Sequence, residues 1–224
     1  MGCGSPGKVG QIRIALMGGA AFFVLWFTGA QILWFASGGD VSTEIGPNAD
    51  QYPAAVLSNQ AGVHVGATLL VLAAVDLIWF AGGLRARVGT KHQLDLIPAL
   101  AIGGVAILLI LEAGLMIASI NLAAEDPGMA WQIKKLSDSL GFESFATSLL
   151  GATVLTAVVA LADRSRLSTW FWWFTVAFAI FLTSGGLLEG FGVVPAGRFA
   201  ILFGLWAFVA AFALQSEPVD QPGA

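Results

Sequence analysis

The sequence predicts an all-α membrane protein: a bundle of six transmembrane helices, both ends cytoplasmic, with a short amphipathic outer helix before span four. Three observations carry this. Of the 224 residues, 57% are hydrophobic and only 11% charged, whereas a soluble domain carries roughly a quarter charged residues. Apolar runs of about 20 residues recur, the length that crosses a hydrocarbon core about 30 Å thick. Lysine and arginine collect in alternate connecting segments, as the positive-inside rule describes.

Helices are the expected form of each run, because a backbone in lipid satisfies its hydrogen bonds internally and these runs lack the alternation of barrel strands. The spans fall near 12–36, 58–84, 96–120, 143–162, 169–190 and 195–215. They make one transmembrane domain over 11–216, between cytoplasmic tails at 1–10 and 217–224. The first run follows Lys8 and Arg13 and ends in "FASGGD". It is about twice as long as a signal-peptide core, so it reads as a spanning helix, with Trp34 at its outer end. In "MGCGSP", Pro6 stands where a myristoylation signal has Ser or Thr.

Span two runs inward from Asn59, Gln60 and His64 to Asp76, Trp79 and Phe80, and the basic turn with Arg85, Arg87 and Lys91 follows. Span three returns outward with Glu112 inside "LLILEAGLM". The outer connection "AEDPGMAWQIKKLSDSLGF" comes next. Asp126 ahead of Pro127 is a helix start, a capping residue before proline in the first turn. Met129, Ile133, Leu136 and Leu140 fall at helical spacing, with Gln132, Lys134, Lys135 and Asp138 elsewhere around the wheel. This predicts an amphipathic helix on the outer membrane surface or capping the bundle.

Glu143 opens span four, and Arg164 and Arg166 follow it inside. "TWFWWF" then sets tryptophans at the interface where span five begins. Glu189 closes that span and Arg198 opens the last. Seven of the ten basic residues fall on the side assigned to the cytoplasm, opposite the base-free loop "GGDVSTEIGPNADQYP". A parallel repeat of two hairpins is a further expectation, since "GATLLVLAAV" at Gly66 resembles "GATVLTAVVA" at Gly151.

Counted at about 1.5 Å per residue from the inner end of span three, Glu112 lies in the outer leaflet. Asn59, Gln60, His64, Glu143, Glu189 and Arg198 share that region, and together they form a candidate outer-leaflet polar cluster. An ionisable group in lipid costs about 2.5–3.5 kcal/mol on insertion scales, so each is expected to face the bundle, a partner or water. Glu112 has no partner on its own helix, and His64 and Arg198 are at compatible depth. Glu189 and Arg198 flank the turn "GFGVVPAG", where a salt bridge would close the hairpin. Asp76 stands apart in the inner half of span two, with Arg85 or Arg87 reaching back to it.

The single cysteine, Cys3, leaves no thiol pair for a disulfide or a metal. His64 is the one histidine within a span, which argues against paired axial haem ligands, and its spacing to the carboxylates matches no metal motif. No cofactor, metal or catalytic residue is therefore assigned, and no basic face for nucleic acid exists.

The order of features, with "LIWFAGGLRARVG" ending span two, "EDPGMAWQIKKLSDSLGF" outside and a Trp-rich fifth span, resembles a broad set of uncharacterised six-helix membrane proteins of actinobacteria. That resemblance covers about Gly10 to Gln215. It implies a compact bundle in a bacterial plasma membrane and brings no catalytic residues.

Three functional readings follow. The leading one is a non-enzymatic accessory or scaffold protein, with the bilayer and a membrane-protein partner or second copy around it; Gly18, Gly19, Gly103 and Gly104 would permit close helix contact. The alternatives are a proton-coupled carrier or ligand-binding protein with an outward polar pocket, and a lipid-modifying enzyme using Glu112 or Glu189 with His64.

Overall fold

A computed structural model describes residues 6–39, 50–88, 96–138, 156, 159, 167–190 and 200–216. Every element among them is a helix. These are α1 (Pro6–Ala36), α2 (Tyr52–Ser58), α3 (Gln60–Val88), α4 (Leu96–Ala123), α5 (Pro127–Asp138), α6 (Thr169–Gly190) and α7 (Ala200–Ser216).

Three helices are long and apolar enough to cross a membrane: Gly10–Ala36 in α1, Gln60–Arg87 in α3 and Ile102–Ala123 in α4. In each, only 39% of the most apolar window is buried within the chain. Most of its side chains therefore face outward, and they are apolar: Val65, Leu72, Val75, Ile107 and Ile110 are all exposed. A water-soluble fold does not leave such broad apolar faces open; a bilayer accepts them. The all-helical architecture with three such helices is consistent with a helical membrane protein. Helices α6 and α7 lie where the fifth and sixth runs fall, with apolar stretches Thr169–Gly185 and Ile201–Gln215. The fourth run at 143–162 and the second copy of the repeat fall outside the described residues, apart from Thr156 and Val159.

The α1–α3 pair is antiparallel and held by glycines. A side chain at Gly83 would meet Ala15 and Leu16, one at Gly18 would meet Asp76 and Phe80, and Gly29 faces Gly66. Small residues in register let the two backbones approach closely, the device by which helices associate without water to drive them together. Gly103 and Gly104 on α4 have nothing within 4 Å of an added Cβ.

Helix α7 lies along another side of α1, also antiparallel. Gly19 faces Ala207, Gly204 faces Phe23, and Gln215 Nε2 donates to the Arg13 carbonyl at 3.2 Å. An aromatic core forms where α1, α3 and α7 meet: Phe203 stands 5.9 Å from Phe22, and Trp206 stands 6.1 Å from both Phe203 and Phe80. Trp206 Nε1 donates to Thr175 Oγ1 at 3.3 Å, which joins α6 to this core.

Local chemistry sets the helix ends. α1 stops at Gly38 and Gly39, whose φ of 81° and 104° are open to glycine. Gly39 N–H reaches Trp34 O at 2.8 Å and Gly38 N–H reaches Phe35 O at 3.3 Å, the paired closure that ends many helices. The start of span two differs from expectation. Pro53 in the first turn of α2 begins a separate short helix, and a break at Asn59 (φ −126°, ψ 28°) divides it from α3.

Candidate functional site

Three buried polar side chains among the described residues, Ser119, Lys134 and Ser137, gather where α2, α4 and α5 meet. Asp126 caps α5 as its sequence predicts, accepting from Met129 N–H at 2.9 Å with Pro127 in the first turn. The path of the helix departs from expectation. Asp126 N–H reaches Leu122 O at 2.8 Å at one end, and Ser137 Oγ donates to Glu112 O at 3.4 Å at the other. α5 therefore turns back and runs antiparallel along α4, some 16 Å down from Ala123 at 1.5 Å per residue.

The face it turns inward is also unexpected. Met129 and Leu136, two of the apolar positions, are each 51% exposed, while Lys134 is 3% exposed and Ala130 and Ser137 are buried. The lysine drawn on the polar side of the wheel is the residue that packs against the bundle. It forms an ion pair with Asp138 one turn on. Both act electrostatically on Glu112 of α4. Glu112 lies on α4, eleven residues before its end at Ala123.

Toward Ala123, the same seam is closed by Tyr52, which is fully buried. Its hydroxyl lies 2.6 Å from Ser119 Oγ, and Ser119 donates to Met116 O at 2.8 Å. The Tyr52 ring packs 5.7 Å from Trp131 of α5, and Lys135 Nζ lies 5.6 Å over that indole. Burial pushes the Tyr52 hydroxyl up to about 12, with the negative charge of Asp138 adding to the effect and the Ser119 hydrogen bond opposing it. Tyr52 thus keeps its proton at any physiological pH.

The candidate residues read from sequence separate into three groups. Glu112 sits in this cluster, with Lys134 and Asp138 as its charged neighbours. Asn59, Gln60 and His64 are exposed on α2–α3. Asn59 Nδ2 bonds locally to Ala55 O and Ser58 Oγ, and the His64 carbonyl accepts from Thr68 Oγ1 at 2.8 Å. Glu143, Arg198 and the Glu189 side chain lie outside the described residues. Asp76 is half-buried on α3, its carbonyl against Gly18. No group of three or more His, Cys, Asp or Glu able to hold a metal occurs among the described residues.

Tyr52, Ser119, Lys134 and Ser137 were not among the residues singled out from sequence. The one available signal was Lys134 and Asp138 at i and i+4, a pairing spacing on a helix beside an apolar span. Comparison with known protein families, curated proteins and solved structures finds no match to this chain.

Proposed function

We propose that the chain is a six-span protein of a bacterial plasma membrane, both termini cytoplasmic, acting without turnover chemistry as an accessory or scaffold protein. The supporting observation is that the polar side chains of this seam other than Glu112 are engaged: Tyr52 with Ser119, Lys134 with Asp138, and Ser137 with the Glu112 main chain. A network satisfied in this way fixes α2 and α5 to α4 as one unit. Apolar helices at the first, second, third, fifth and sixth expected positions support the span count. The distribution of Lys and Arg supports the orientation. The open positions Gly103 and Gly104 suit a partner helix or a second copy, and the resemblance to actinobacterial six-helix proteins is consistent with the same reading.

A second reading, a proton-coupled carrier or ligand-binding protein, is favoured by one observation. The Glu112 carboxylate takes no hydrogen bond from any described residue, although Lys134 and Asp138 act on it. Two carboxylates then share one ammonium, and the group is neutral only with one added proton.

Thiol labelling separates the two. In a Cys3→Ser background, Glu112→Cys and Gln132→Cys are treated with a membrane-impermeant reagent in sealed vesicles of both orientations. The scaffold reading expects labelling at 132, protection at 112, and no proton movement above empty vesicles after a pH jump. Labelling at 112 together with proton movement that the parent chain shows and Glu112→Gln loses establishes the carrier instead.

A further inference from the structure

Helix α5 is held to the bundle more by polar contacts than by apolar area. The residues it buries are Ala130, Lys134 and Ser137, which fall on one stripe of the helix. Met129 and Leu136 point outward, with Gln132 and Lys135 exposed beside them. Ile133 and Trp131 are only half-buried, the indole lying 5.7 Å from the Tyr52 ring. Polar groups supply the rest of the hold. Ser137 Oγ donates to Glu112 O at 3.4 Å, and the Lys134–Asp138 ion pair acts on the half-buried Glu112. A tight, exposed turn joins α4 to α5, where Glu125 N–H and Asp126 N–H both reach Leu122 O, at 3.1 and 2.8 Å.

Charge balance in that seam depends on one proton. Lys134 offers one ammonium to two carboxylates, Asp138 on its own helix and Glu112 on α4. With Glu112 protonated the three groups sum to zero. With Glu112 ionised one negative charge is left over in a seam that buries Lys134 and Ser137, and an uncompensated charge in such a place is costly. The other helices packed on α4 bring no balancing charge. The titratable group of α2 is Tyr52, and α3 carries His64, Asp76, Arg85 and Arg87, none of which acts on Glu112.

We propose that α5 is a strap seated by the protonation of Glu112: it lies against α4 while Glu112 carries a proton, and lifts from the Asp126 turn when that proton leaves. Lifting lets water reach the Glu112 carboxylate and carries Lys134 and Asp138 out together, so their ion pair is kept. Little apolar contact is given up, because the large apolar side chains Met129 and Leu136 already face outward. The step moves no proton across the membrane, so it depends on neither reading of the function.

The test is thiol labelling of the full chain in detergent micelles, in a Cys3→Ser background. Ala130→Cys, at a fully buried position on the inward stripe, is the reporter. Gln132→Cys, exposed on the same helix, is labelled in parallel, and the ratio of the two rates removes the reagent's own dependence on pH. The ratio is expected to rise with pH by up to about tenfold per unit, the limit for a step that releases one proton. Glu112→Gln is neutral throughout and should hold the ratio at its acid value. Asp138→Asn should reverse the trend, because ionised Glu112 then balances Lys134 one to one and only the protonated form leaves a charge over. A ratio that is flat with pH in the background chain overturns the proposal. So does a rise that survives in Glu112→Gln, or one that Asp138→Asn leaves unchanged.

Discussion

The hydroxyls of Tyr52 and Ser119 stand 2.6 Å apart, with either able to donate, and Ser119 Oγ also lies 2.8 Å from Met116 O. A two-step chain of hydrogen bonds therefore runs from α2 into the backbone of α4.

The first prediction concerns pH. Tyr52 is the only tyrosine in the chain, so tyrosinate absorbance reports it alone. The midpoint is expected at about 12 in the folded protein and near the ordinary 10.0 after denaturation. A group that holds its proton more tightly when folded contributes stability that is complete below its unfolded value and is lost as pH rises through the folded one. Stability should thus be insensitive to Tyr52 below pH 10.0 and decline from there toward about 12. Tyr52→Phe should remove that alkaline decline and cost about 1 kcal/mol at neutral pH, the net value of one hydrogen bond. A folded-state midpoint equal to the denatured one would contradict the burial of this hydroxyl.

Lys134 supplies the second. Replacing it with methionine leaves Asp138 in a protein-walled site without its cation, which should cost about 3 kcal/mol or more. The double change Lys134→Met with Asp138→Leu removes both charges and should recover most of that loss. Thermal melts in one detergent compare the three chains. Equal melting temperatures for parent and Lys134→Met would place the lysine in solvent.

Glycines give the third. An alanine methyl at Gly18 would sit 2.6 Å from the Asp76 carbonyl oxygen, with backbone on the other side that does not yield. Gly18→Ala should lower stability by about 1–3 kcal/mol. Gly103→Ala meets nothing and should leave the isolated chain as stable as the parent, while weakening any contact through that face. Melting temperature for the first and association in detergent for the second are the readouts.

Much of this was legible in the sequence, and the exceptions share one cause. The cap at Asp126 and Pro127, the close contacts at Gly18 and Gly19, and the apolar helices follow from local rules, and local rules held. The neighbours of Glu112 were sought at its own depth, among His64 and Arg198, because the helix after Asp126 was expected on the outer surface or as a cap over the bundle. It folds back along α4 instead, and Lys134 arrives beside Glu112 from a connection that sequence counting keeps outside. Amphipathicity ranks the faces of a helix by affinity for water. It does not say which face meets a bundle that offers a carboxylate of its own. The short helix at Tyr52 escaped notice for a related reason: a break at Asn59 inside a continuous run of helix-compatible residues has no strong composition signature.

Helix α1 touches α3 through Gly18 and Gly29 and touches α7 through Gly19 and Phe23. During synthesis its two seams are therefore filled at very different times. The first closes once the second long helix leaves the insertion machinery, but the other waits for the last described helix in the chain. Until then Phe22 and Phe23 lack their α7 partners Phe203 and Phe208, and the nascent protein is a hairpin with an unfinished side. The interval between those two events is the window in which a chaperone, or a neighbouring copy, can reach the first helix.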